Sequence, residues 1–99
     1  MLIPKKFQLN GKTYTVRRPK RMRKHATVGR CEYATRTLHV ASHSNVSYRQ
    51  FNDEFVSETF WHEALHAMLN EMKHPLTRDE RFVTDLSRLL NELVLSAEL

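Results

Sequence analysis

The sequence is poor in the residues that punctuate or cross-link a chain: two glycines, three prolines and one cysteine among 99 residues. A lone Cys31 cannot close an internal disulfide, so packing, with or without a metal, must hold the fold, and a reducing interior suits it best. No apolar run approaches the roughly 18–20 residues needed to span a bilayer. The opening Met1-Leu2-Ile3-Pro4-Lys5-Lys6 lacks the apolar stretch and cleavage site of a signal peptide. A cytoplasmic location without membrane partners is therefore expected. No G-x-S-x-G is present and Cys31 has no catalytic motif around it, which argues against a serine esterase or a cysteine protease.

Acidic residues are missing altogether before Glu32, where ten of the sixteen Lys and Arg lie. Arg17, Arg18, Lys20, Arg21, Arg23 and Lys24 form the densest run. Such a basic lobe suits nucleic acid or an acidic protein partner, although a solvated surface accounts for it as well and no nucleic-acid motif accompanies it. The remainder is globular in composition, with 40% hydrophobic and 27% charged residues. This length bounds one domain, 1–99, with a modest core.

What is present in strength is a helix. Residues 52–73 contain neither Gly nor Pro, and Phe55, Phe60, Trp61, Leu65, Met68, Leu69 and Met72 supply apolar mass. Within it stands His62-Glu63-Ala64-Leu65-His66, an H-E-x-x-H. About 3.6 residues make one turn, so His62 and His66 share a face and can ligate one tetrahedral Zn²⁺. Glu63 is too close to be a natural third ligand, but is well placed to take the proton of a metal-bound water. The pattern fixes only three positions, so chance is the competing explanation. In a short chain and so apolar a helix, chance is less attractive.

The rest of the chain is read around that helix. Phe7 and Leu9, then Tyr14 and Val16, alternate with polar residues on either side of Asn10-Gly11, which predicts a hairpin over 6–17. Pro19 should close its second strand. A second hairpin is expected over 28–42, turning at Ala34-Thr35-Arg36. Ser47 with Gln50 makes a capping box, so the metal helix should run from about Ser47 to Lys73, with a break near Asn52. His74-Pro75 ends it, Thr77 to Glu80 is another capping-box pattern, and Phe82, Val83, Leu86, Leu89, Leu90, Leu93 and Val94 recur at helical spacing. The expected fold is α+β: a small antiparallel sheet of three to four strands over 6–42, followed by two antiparallel helices over 47–97.

A catalytic zinc takes a third protein ligand. The arrangement with a histidine six residues beyond the motif is excluded, because Leu69 and Met72 occupy the required Gly and His positions. His74 lies two turns further along and out of comfortable reach. A carboxylate from the next helix remains: Asp79, Glu80 or Asp85. A simple hairpin centred near Pro75 sets His66 opposite Asp85, while a modest splay turns Glu80 inwards.

The whole arrangement resembles small phage-encoded metallopeptidase-like proteins, relatives of the ImmA/IrrE-like zinc peptidases of the gluzincin group. The resemblance rests on Asn10 to Tyr14, Gly29 to Tyr33 with Thr37 to Val40, Thr59 to Ala67, and Asp79 to Val83. It implies a minimal zincin-like fold, a zinc cofactor and hydrolysis of a peptide bond, and the small size of the chain suits a dedicated protein substrate. It also implies Glu80 as third ligand, Asp85 being held in reserve, and Thr37–Ala41 as a strand whose edge meets an extended substrate. Tyr48, His39 and His43 are candidates to stabilise an oxyanion, with an ordinary buried or surface role as the alternative for each. The alternative function is a nucleic-acid-associated or interaction module using the basic half, with the zinc site structural or silent.

Overall fold

A computed structural model describes residues 3–23 and 27–98. Strand β1 (Lys6–Leu9) turns through Asn10 and Gly11 into β2 (Lys12–Arg17). Both turn residues take positive φ, 52° and 72°, which the two-residue hairpin requires and which Asn and Gly tolerate best. A second hairpin joins β3 (Gly29–Glu32) to β4 (Thr37–Val40), with Arg36 left-handed at φ 49°.

The two hairpins combine differently from the all-antiparallel sheet expected. The strand order is β1-β2-β4-β3, and β2 pairs with β4 in parallel, Val16 standing beside Leu38. The connection after Arg17 carries the chain past the neighbouring position, so that the returning strand β4, rather than β3, fills it. This leaves β3 at an edge and β4 paired on both sides.

Helix α1 (Asp53–Glu71) begins at the suspected break, not at Ser47. The Asn52 side chain accepts the Phe55 amide at 2.8 Å and caps it. Upstream, the Ser44 hydroxyl accepts the amides of Val46 and Ser47, and the Ser47 hydroxyl accepts that of Arg49. These serines close local turns instead of starting a helix, and Tyr48 has φ 61°. After α1, Lys73 turns left-handed and a 3₁₀ turn spans Pro75–Arg78. Helix α2 (Glu80–Ser96) is capped by Asp79, whose carboxylate accepts the Phe82 amide at 3.0 Å; Thr77, expected as the cap, is spent elsewhere.

Alternation along the strands turns Tyr14, Val16, Leu38 and Val40 to one side, where they pack against Val56, Phe60, Ala64 and Ala67 of α1. The opposite side of α1 buries Leu65 and Leu69 against Val83 of α2. Helix α1 is thus covered on two sides, which is why its apolar residues surround it rather than form one stripe. The buried Ser57 hydroxyl donates to the buried Asn91 side chain and pins the two helices together. Among the described residues, no helix is long and apolar enough to cross a membrane.

Candidate metal centre

One turn of α1 presents the two imidazoles together, ring centres 5.0 Å apart. Glu80, the first residue of α2, reaches back between them. Its Oε1 lies 2.9 Å from His66 Nε2 and its Oε2 lies 3.1 Å from His62 Nε2. All three donors lie within 4.8 Å of one another. Two imidazoles and a carboxylate at this spacing could hold a metal ion; in tetrahedral coordination with bonds near 2.0–2.1 Å ligand atoms stand about 3.3 Å apart, close to the two Glu80–histidine distances.

Asp85 does not join them. At about 100° per residue it lies about 140° round α2 from Glu80, and its carboxylate is 4.0 Å from Arg81. The Ser57–Asn91 bond also sets the helices a few residues out of the register of a hairpin centred on Pro75, so His66 faces the start of α2. His74 is occupied too, its Nδ1 accepting the Leu76 amide at 3.1 Å.

The far side of the His66 ring is held by the residue that failed to cap α2. Thr77 Oγ1 lies 3.4 Å from His66 Nδ1, donates to the His66 carbonyl at 3.2 Å, and lies 3.2 Å from the Tyr33 hydroxyl. A partner on Nδ1 leaves Nε2 free as the ligand atom, the usual division of labour in a metal-binding histidine. Burial pulls the His62 imidazolium below its ordinary range and so favours the neutral form a metal needs.

Glu63 faces the sheet rather than Glu80. It is buried, and burial first, with the Glu80 charge second, pushes its carboxyl up to about 8. It fits because β3 begins with a glycine. A Cβ on Gly29 would come within 2.8 Å of Thr59 Cγ2 and 2.9 Å of Glu63 Oε2. Gly29 also lines the cleft of about 460 Å³ that contains His62, Glu63, His66 and Glu80.

The proposed oxyanion candidates do not line that cleft. His39 points to the other face of the sheet, in register with Arg17 and Arg30. His43 Nδ1 is bonded to the Ser42 hydroxyl at 2.8 Å, and the Tyr48 ring lies beneath Arg21. Cys31, pushed up to about 12 by burial and the Glu63 charge, packs on the core as a thiol. In the basic run, Arg18 donates to the Val40 carbonyl at 2.8 Å, Arg17 ends β2, and Lys20, Arg21 and Arg23 are exposed. Lys24 lies outside the described residues. Thr77, Tyr33 and Gly29 went unread in the sequence as parts of this site. Gly29 alone left a signal, as one of two glycines with no turn dipeptide to explain it.

Compared with known protein families, with curated proteins and with solved structures, the chain has no match.

Proposed function

We propose that this chain is a zinc-dependent metallopeptidase of minimal size, acting in the cytoplasm on a dedicated protein substrate. The observation that carries this reading is the Glu80 carboxylate set against the Nε2 atoms of both motif histidines, with Glu63 buried beside them. His62, His66 and Glu80 would hold the ion. Bound there, zinc supplies Lewis-acid polarisation of a carbonyl and acidifies water.

The remaining work belongs to side chains. Glu63 accepts a proton from the attacking water and returns it to the leaving amine. A carboxyl shifted towards neutrality is suited to both halves of that transfer. Thr77 fixes the His66 ring through Nδ1. Substrate in extended form would add to β3, because β3 is an edge whose first residue opens on the cleft. The role that the resemblance gave to Thr37–Ala41 thereby passes to β3, since β4 is paired on both sides. The affinity to ImmA/IrrE-like peptidases is part of the same proposal.

The test is to compare new protein N-termini in host cells expressing wild type or Glu63→Gln. A cleavage present only with wild type, and reproduced by purified zinc-loaded protein on that target, supports the proposal. Identical N-terminal profiles in the two cultures count against it.

A further inference from the structure

The sheet face turned away from α1 plays no part in the metal chemistry, and its charge is one-sided. Since Val16, Cys31 and Leu38 turn to the core, their neighbours Arg17, Arg30 and His39 form a row across β2, β4 and β3 on the opposite face. Two adjoining clefts lie there, sharing Pro19 and His39; one also takes in Arg17 and Arg18, the other Arg21, Arg23 and Arg30. Among the described residues, Arg17, Lys20, Arg21 and Arg23 are exposed with no carboxylate at ion-pair distance. Lys12, by contrast, is paired with Glu71. The one acid on the row, Glu32, is already bonded to Arg30 and Thr35 and lies 3.7 Å from His39.

We infer that this face is a docking surface for duplex DNA, read through its phosphates and without regard to sequence. Unneutralised arginines carry planar donor forks that match phosphate oxygens, and phosphate contacts alone position a protein on a duplex. A single strand calls for aromatic platforms on which bases stack. Among the described residues the clefts hold no Phe, Tyr or Trp, and the nearby Tyr48 ring is covered by Arg21 at 4.8 Å. An acidic protein would also be drawn to these arginines, and polyglutamate stands for it in the test. The body measures 36 Å along its longest axis, about ten base pairs at about 3.4 Å each. The surface is separate from the metal ligands, so it stands whether or not the chain is a peptidase.

The experiment titrates a fluorescein-labelled 16-base-pair duplex with the full chain in EDTA, reading anisotropy from 50 to 200 mM NaCl. About four phosphate contacts predict about a hundredfold weakening over that range. Arg17→Glu with Arg23→Glu should weaken binding at 50 mM more than tenfold and flatten the salt dependence. Lys73→Glu with Arg81→Glu makes the same change in net charge elsewhere and should stay within about twofold of wild type. Circular dichroism melts report folding, and Arg17→Gln with Arg23→Gln substitutes if the reversal does not fold. Absence of binding at 50 mM, equal loss in both charge-reversed pairs, or tighter binding of a 16-mer single strand or polyglutamate overturns the inference.

Discussion

Thr77 and His66 are joined twice: the threonine hydroxyl donates to the His66 carbonyl at 3.2 Å and stands 3.4 Å from His66 Nδ1. One side chain in a 3₁₀ turn thus fixes both the backbone and the ring of a proposed ligand. Thr77→Val should lower zinc affinity by about 10–100-fold, the usual cost of losing such an outer partner. Thr77→Ser should restore most of it. Competition against a chromogenic chelator measures both, and equal affinities in all three proteins would dismiss the positioning role.

Gly29 separates β3 from α1 by the width of a hydrogen. In Gly29→Ala the new methyl meets Thr59, Glu63 and the His39 carbonyl at 2.8–3.1 Å. The strand or the Glu63 carboxylate must move. A loss of about 1–3 kcal/mol in urea unfolding is expected, together with loss of any Glu63-dependent cleavage. An unchanged denaturation midpoint would show that the approach is looser than this.

The far end of α1 is tied to the sheet through Glu71, which accepts from the buried Tyr14 hydroxyl and from Lys12 at 3.1 Å. The Tyr14 bond first, then the Lys12 bond, holds the Glu71 carboxyl below its ordinary range. A depressed folded-state value stabilises the protein above the unfolded value of about 4.3, and this stabilisation fades as pH falls through the folded one. Glu71→Gln should therefore be less stable than wild type at pH 7, with the gap closing towards pH 2.5. Urea melts across that range decide it; a gap independent of pH contradicts the assignment.

Between the helices, Asn91→Ala would leave the buried Ser57 hydroxyl without its acceptor side chain. The Glu54 carbonyl, 3.4 Å from that hydroxyl, remains as a longer acceptor, so a penalty of about 0.5–1.5 kcal/mol is expected for the lost bond. In Ser57→Ala with Asn91→Leu both polar groups are gone and much of the stability should return. Thermal melts of the single and double variants test this, and additive losses would contradict it.

The parts of this fold legible in the sequence were those set by local chemistry. Asn10-Gly11 announced a hairpin, and the stretch free of Gly and Pro announced α1 with its histidines on one face. What depended on distant partners was not legible. Ser47 and Asn52 are both good caps, and only the turn at Ser44 decides between them. The parallel β2–β4 pairing follows from where a loop crosses, which no strand records. Hairpin geometry favoured Asp85, because nothing local reveals that Ser57 pairs with Asn91; Glu80 came from the family resemblance. Thr77 looked like a helix cap, and its use as the His66 partner requires both helices to be in place.

The most direct test is the zinc content of protein purified without added zinc or an affinity tag, measured alongside His62→Ala, His66→Ala, Glu80→Ala, Asp85→Ala and Glu63→Gln. The account predicts about one zinc per chain in wild type, Asp85→Ala and Glu63→Gln, and loss of zinc in both histidine variants and Glu80→Ala. Wild-type protein that carries no zinc and cannot be loaded with it would contradict the account.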